Sequence, residues 1–219
     1  MIVYWDTGLK RAQWWRFSEK KEAIEEIKAD LSGLKEAGVI PTGVTSDGAP
    51  GIVGAVKFLY PSIPHQRCLV HLQRMALIFL TQKPKTQAGV ELREMAKRLN
   101  SITTHAEHYF WQRDFYRWCH RHYSLLKERS FSFQRAHWWY THRYLRKVRR
   151  MIINALPDMW HYLDHPQISK DTNGLEGRWS SLKIHYRQHR GLSKRFRPAY
   201  LSWYLTTVFN REKPTRFDH

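Results

Sequence analysis

Hydrophobic and polar residues alternate at the start of the chain and then recur at the period of a helix. The apolar runs at residues 1–5 and 12–17 flank the turn-like sequence DTGLKR, and this pattern predicts a β-hairpin. The following segment repeats apolar residues at helical spacing, at Ile24, Ile27, Leu31 and Leu34. Ser18 is placed to cap this helix, and Gly38 predicts its end.

The next pattern is an alternation of short strands and helices. Residues 42–48, TGVTSDG, predict a buried strand that ends in a turn, and a helix is predicted from about residue 51 until Pro61 stops it. Residues 65–70, HQRCLV, predict another strand, which is followed by more helix. This order predicts an α/β fold, in which parallel strands form a sheet with helices on its faces.

The long middle of the chain shows no convincing strand pattern between Leu69 and Leu163. Three segments predict helices, at residues 91–100, 105–128 and 135–156. A seven-residue repeat beginning in the last segment predicts a packed apolar stripe, at Trp138, Leu145, Ile152 and Met159. Basic residues share another face of the same helix, at Arg143, Arg146, Lys147 and Arg150.

The charge of the chain points to a polyanionic partner. Its 219 residues include 37 Lys and Arg against 19 Asp and Glu, which gives a formal net charge of +18. Nucleic acid is the leading candidate, and a membrane surface is the rival. The longest apolar run, residues 75–80, is far shorter than the roughly 20 residues that span a bilayer. Two cysteines and no signal peptide favour an intracellular, reducing compartment.

This charge leaves two interpretations of the basic face at residues 143–150. One is an ordinary solvated surface, and the other is a strip that contacts phosphates. The aromatic clusters HYFW and HWWY, at residues 108–111 and 137–140, also have two interpretations. Burial in a core is favoured over base stacking for both clusters.

Two acidic residues occupy positions that suit chemistry. Asp47 follows a predicted buried strand, where ligands and metals bind in α/β sheets, although an ordinary Asp-Gly turn explains it as well. Glu176 stands three residues after Asn173, which predicts a helix N-terminal cap at Asn173. Gly174 and Gly177 beside this acid leave room for a cation and a phosphate. A cap and a metal ligand are compatible roles for one carboxylate.

Cys68 and His71 are types of residue that bind zinc. A structural zinc site needs four ligands, however, and no second pair lies at a convincing spacing. We therefore favour a bracing role for the pair, through packing and hydrogen bonds at the junction of a strand and a helix.

Three segments, taken in order, resemble the bacterial insertion-sequence transposases of the Mutator-like kind. Residues 45–75 resemble the segment that carries the second acid of that family, followed by its Cys-x-x-His signature. Residues 171–193 resemble the segment that carries the third acid, and the opening hairpin matches the strands after the first acid. The resemblance implies a ribonuclease-H-like mixed sheet with flanking helices, interrupted by a large all-helical insertion. The implied boundaries are a core part at residues 1–71, the insertion at 72–168 and a second core part at 169–219.

The resemblance also implies a chemistry. Asp47 and Glu176 would be catalytic acids that bind Mg²⁺, with Mn²⁺ as a substitute, and Cys68 and His71 would be the structural signature. The activity would be DNA strand cleavage and strand transfer, and the partners would be transposon ends and target DNA. The expected DNA-binding residues are Arg143, Arg146, Lys147, Arg150, Lys183, Arg187, Arg190, Lys194 and Arg195.

The first acid of the family has no convincing counterpart. The chain opens inside a predicted strand, and Asp6, the one nearby candidate, lies in the turn of the hairpin. We therefore expect a truncated chain that is weak or inactive alone, and a homo-oligomer when active, in the bacterial cytoplasm at the nucleoid. The alternative is a non-enzymatic DNA-binding remnant of a transposase.

Overall fold

The computed structural model describes residues 1–17, 24–134 and 136–210. The fold is mixed α/β and mostly helical, and the chain divides into two compact units. The terminal unit comprises residues 1–41, 49–62 and 172–219, and the central unit comprises residues 42–48 and 63–171. The cap predicted at Ser18 lies outside the described residues. The boundaries predicted after residues 71 and 168 stay a prediction.

The helices and strands have the following bounds. The strands are β1 (Ile2–Asp6), β2 (Arg11–Arg16), β3 (Val44–Ser46), β4 (His65–Arg67), β5 (Arg129–Ser132) and β6 (His137–Tyr140). The α-helices are α1 (Ile24–Glu36), α2 (Pro50–Leu59), α3 (Leu69–Leu80), α4 (Gln87–Lys97), α5 (His105–Arg121), α6 (Tyr123–Lys127), α7 (Arg143–Ala155), α8 (His161–Asp164), α9 (Asn173–Gln188) and α10 (Arg197–Tyr204). A π-helical stretch, Leu205–Phe209, continues α10. The helix ends predicted near Gly38 and Pro61 are confirmed.

In the terminal unit, β1 and β2 form the predicted antiparallel hairpin, with a bulge between Tyr4 and Trp5. The hairpin packs on a core from the C-terminal helices, in which Leu182 and Leu205 are buried. Trp5 meets Phe209 edge to face, with 5.6 Å between the ring centroids. The amphipathic hairpin is stabilised by covering this core with its aromatic side chains.

A buried carboxylate joins the hairpin to α1. Asp30 is only 5 % exposed and accepts hydrogen bonds from Tyr4 Oη at 3.1 Å and Trp14 Nε1 at 3.2 Å. Its Oδ1 also accepts from Arg16 Nε at 2.8 Å and Nη2 at 2.6 Å. A buried charge needs such paired donors, so these bonds fix α1 against the hairpin. Burial, with the Asp30 charge and hydrogen bond, raises the pKa of Tyr4.

Helices α1 and α2 also pack together in the terminal unit. A Cβ atom at Gly54 would lie 2.7 Å from Ile24 Cδ1, so the absence of a side chain there lets the helices approach closely. Tyr60 Oη donates to the carbonyl of Leu31 at 3.2 Å, which ties the end of α2 to α1.

The central unit contains the predicted parallel pair. Strands β3 and β4 run parallel, with Ser46 opposite Arg67 at the end of the pair. Gln66 is fully buried, donates to the carbonyl of Met159 at 2.8 Å and accepts from Tyr162 N at 3.2 Å. The strand predicted at residues 65–70 ends early, because Cys68 is already the N-cap of α3.

Aromatic residues of α5 form much of the helical core of this unit. Trp111, Phe115 and Trp118 lie at helical spacing and are buried. The indole nitrogens of the two tryptophans donate to the carbonyls of Met95 at 2.9 Å and Ala88 at 3.0 Å. Both of these indole nitrogens thus have a partner, so Trp111 and Trp118 bury large apolar areas without an unsatisfied donor.

The prediction of an all-helical middle is wrong in one place. Strands β5 and β6 form an antiparallel hairpin at residues 129–140, so α7 begins at Arg143 rather than near residue 135. Aromatic residues favour strands as well as helix cores, and here cross-strand pairing decides the outcome. Trp138 therefore leaves the predicted stripe and is exposed, whereas Leu145, Ile152 and Met159 are buried.

The described strands form three separate two-stranded sheets. The single mixed sheet that the resemblance implies is therefore not seen among the residues that the structure describes.

Candidate active site and nucleic-acid interface

Asp47 directly follows β3 and is half-buried. The next residue, Gly48, has a φ of +76°, and a Cβ atom there would lie 1.1 Å from Nη1 of Arg67. Gly48 N also donates to Ser46 Oγ at 3.1 Å. The turn therefore needs glycine for two reasons: the left-handed backbone and the guanidinium that lies against it.

Arg67 is a site residue that sequence reasoning missed. Burial lowers the pKa of its guanidinium, while the nearby acidic side chains, Asp47 foremost, oppose that shift. Its buried Nε has no hydrogen-bond partner among the described residues. An arginine remains protonated in proteins, so Asp47 has a permanent cation near it. The available signal was topological: the carboxyl ends of paired parallel strands meet at one edge of the sheet.

Two further pairs lie close to the end of β3. Ser46 Oγ and His65 Nε2 are 2.7 Å apart, and both side chains are buried. His71 Nδ1 lies 3.3 Å from the buried Cys68 Sγ, and Cys68 N donates to the carbonyl of Ser46 at 2.7 Å. The cysteine and histidine of the signature thus brace the junction of β4 and α3. The described residues contain no group of three or more His, Cys, Asp or Glu side chains that could hold a metal ion.

Glu176 lies in the first turn of α9, where the partial positive charge of a helix N-terminus favours an acid. The cap predicted at Asn173 is wrong by one residue, because the helix begins there and Thr172 is the N-cap. Thr172 Oγ1 donates to Glu176 Oε1 at 3.3 Å. A Cβ atom at Gly174 or Gly177 would meet nothing within 4 Å, so packing requires neither glycine.

One face of α9 combines this acid with cations. Lys183 and Arg187 follow Glu176 by seven and eleven residues, which places all three on the same side of the helix. The two cations lie about 10 and 16 Å along the axis from the acid. Both are exposed, as are the remaining predicted DNA-binding residues of the terminal unit, Arg190, Lys194 and Arg195.

The basic strip on α7 belongs to the central unit. Arg143, Lys147 and Arg150 are exposed, and the opposite face of the helix is buried in the core. Arg146 is held in place, because its Nη1 donates to the carbonyl of Leu126 at 2.7 Å. The strip therefore contains one cation in a fixed position, Arg146, among three exposed cations on the same helix.

A family model for the Mutator family of transposases matches residues 18–165. The chain belongs to the Mutator transposase family. Membership implies a transposase-type function, with DNA as the partner. The match includes Asp47, the Cys68–His71 pair and the basic strip of α7, and it stops before Glu176.

No curated protein and no solved structure matches the chain. Among its described residues, no helix has the length and apolar character needed to cross a membrane.

The aromatic clusters of this family member differ from the predicted burial. Tyr109 and Phe110 on α5 are exposed, and so are Trp138 and Trp139 on β6. Among the described aromatic rings of the two clusters, only Trp111 is buried. The prediction of core positions is therefore wrong for most of both clusters. A periodic pattern gives the side of an element on which a ring lies, but it does not tell whether another element covers that side.

The structure describes Asp47 within the central unit and Glu176 within the terminal unit. Their shared role as catalytic acids stays a prediction.

Proposed function

We propose that this chain cleaves and joins DNA strands by metal-assisted phosphoryl transfer, with Asp47 and Glu176 as its acidic ligands. The observation that carries the proposal is the position of Asp47. It lies at the carboxyl end of a parallel strand, beside a half-buried arginine, within the region that matches the transposase family. The finer expectation, a ribonuclease-H-like arrangement of the acids, is part of this proposal.

The chemistry of the donors fits Mg²⁺. Asp47 and Glu176 offer hard carboxylate oxygens, and both side chains are half-buried rather than sealed from solvent. Magnesium in phosphoryl-transfer sites is bound through one or two carboxylates, together with substrate phosphates and water. Magnesium, or manganese in its place, supplies activation of the attacking oxygen and stabilisation of the leaving oxygen.

The other residues of the site bind and position the DNA. Arg67 lies near Asp47 and offers positive charge to a phosphate. Lys183 and Arg187 hold the strand that leads away from Glu176, and the strip on α7 holds flanking duplex through its phosphates. Phosphoryl transfer needs no protein nucleophile, so positioning of this kind is the main task of the side chains.

The test compares the chain with Asp47→Asn and Glu176→Gln on labelled DNA carrying the terminal repeats of its own element. We expect weak Mg²⁺- or Mn²⁺-dependent nicking by the chain alone, and a further fall of up to about 10³-fold in each variant, because metal stabilisation of the transition state is worth several kcal/mol. DNA affinity, measured in EDTA, should not fall. Glu36→Gln and Glu94→Gln, which remove exposed acids from α1 and α4, are the matched controls and should nick normally.

Two results would contradict the proposal. Nicking that survives both substitutions would place the chemistry elsewhere. Salt-dependent DNA binding without metal-dependent nicking, in the chain and the variants alike, would identify a non-enzymatic DNA-binding protein.

A further inference from the structure

The hairpin of β5 and β6 carries a row of aromatic rings, of which those nearest the turn are exposed. Phe131 stands opposite Trp138 in the hairpin, with 4.6 Å between the ring centroids. Phe133, in the turn, meets Phe131 edge to face at 5.0 Å. Tyr140 pairs with Arg129 two residues further from the turn, and alternate residues of a strand share a face. We call Phe131, Phe133, Trp138 and Tyr140 the aromatic row.

The rings nearest the turn are open to solvent. Phe133 is 91 % exposed and Trp138 is 60 % exposed. The strands themselves are held in register, because Thr141 N donates to the carbonyl of Glu128 at 3.0 Å and Ser130 Oγ bonds Thr141 Oγ1 at 2.7 Å. A fixed hairpin therefore presents large apolar rings to water, which is costly unless a partner covers them.

The other end of the aromatic row is positively charged. The guanidinium of Arg129 lies 5.3 Å from the ring centroid of Tyr140, and that of Arg146 lies 3.5 Å from it. The hydrogen bond and charge of Arg129, with the charge of Arg146, lower the pKa of Tyr140. Arg146 belongs to the basic strip of α7, so the aromatic row continues into that strip. Flat rings followed by cations match a ligand that has flat faces and negative charges.

We propose that the exposed rings of the aromatic row, Phe133 and Trp138, bind unpaired DNA bases by stacking, while Arg129 and the strip on α7 bind the phosphates of the same strand. Rings are sequence-tolerant platforms for bases, and cations along the backbone complete the arrangement. A fully paired duplex hides the faces of its bases, so the row selects DNA that has a frayed or single-stranded end. The inference rests on the proposed function only in taking DNA as the ligand.

The experiment measures binding of the full chain to fluorescently labelled DNA by anisotropy, in EDTA, so that no cleavage enters the result. The two probes are a blunt duplex and the same duplex with a tail of about six unpaired nucleotides, long enough for single-strand contacts. We expect tighter binding of the tailed probe. Phe133→Leu and Trp138→Leu keep apolar bulk but remove the ring, and each should reduce the preference for the tail about 5- to 100-fold.

Two variants separate stacking from other effects. Phe133→Trp restores a flat ring and should keep the preference for the tail. Tyr116→Leu removes an exposed ring of α5 in the same unit and should leave the preference unchanged. Because Phe133 is almost fully exposed in a turn, its substitution spares the core, and unchanged circular dichroism would confirm this.

Three outcomes would overturn the inference. In the first, the unsubstituted chain binds the blunt and the tailed duplex equally. In the second, the leucine variants lose affinity for both probes by the same factor. In the third, the leucine variants keep the full preference for the tailed duplex. A change in sedimentation of the leucine variants with an unchanged preference would make the row a protein interface instead. A chain without nuclease activity can still pass this test, so the inference and the proposed function fail separately.

Discussion

The glycines beside the two proposed catalytic acids have opposite surroundings. Gly48, next to Asp47, lies so close to Arg67 that no side chain fits, and its backbone is left-handed. Gly174 and Gly177, on either side of Glu176, have open space where a side chain would be. The position of Asp47 is therefore set by tertiary contacts, whereas that of Glu176 is set by a helix. Substitutions should disturb the first segment much more than the second.

The largest effect is expected at Gln66, which fixes the strand paired with the Asp47 segment. Gln66→Ala removes bonds to the carbonyl of Met159 and from Tyr162 N, and it leaves a cavity at a fully buried position. We expect a loss of about 3–4 kcal/mol in the free energy of unfolding. Urea denaturation, together with hydrogen exchange of amides in the central unit, measures this loss in the free energy of unfolding. Gln87→Ala, at an exposed position of α4, should cost less than about 0.5 kcal/mol.

A smaller loss is expected at Gly48. Gly48→Ala forces a left-handed backbone on a residue with a Cβ atom and displaces the guanidinium of Arg67. The expected destabilisation is about 2–3 kcal/mol, of which the backbone contributes about 1–2. The same denaturation experiment measures the change. A loss below about 1 kcal/mol would show that Arg67 moves away freely, and the contrast between the two acids would then weaken.

The smallest effect, of opposite sign, is expected at Gly177. Gly177→Ala places a methyl group in open space inside a helix, so the stability of the terminal unit should rise by about 0.5–1 kcal/mol. If the glycine leaves room for a cation and a phosphate, the same variant should nick DNA more slowly despite its greater stability. A stabilised variant with unchanged nicking would show that Gly177 has no role in the site.

The predictions that the structure confirms depend on patterns among residues that are close together in the sequence. The opening hairpin, the parallel pair and the ends of α1 and α2 follow from apolar spacing and from Gly38 and Pro61. The hairpin of β5 and β6 was missed because its aromatic residues also fit a helical repeat, and only pairing across the turn decides between the two.

The details around Asp47 could not be predicted, because they depend on residues far apart in the chain. Gln66 bonds Met159, 93 residues away, and Thr45 Oγ1 donates to the carbonyl of Ser169, 124 residues away. The proximity of Arg67 to Gly48 likewise requires the register of β3 against β4. The positive net charge predicted a polyanionic partner, in agreement with the DNA partner that the family implies. Composition did not indicate that Trp138 and Phe133 would be exposed.

The guanidinium near Asp47 has a consequence for how DNA approaches. A solitary carboxylate repels an incoming phosphate, and that repulsion grows as water is excluded from between them. Arg67 offsets the charge of Asp47 before any DNA arrives, since arginine does not lose its proton in proteins. The backbone of a DNA strand therefore meets a carboxylate whose charge is partly offset at this edge of the central unit, and its close approach is less opposed.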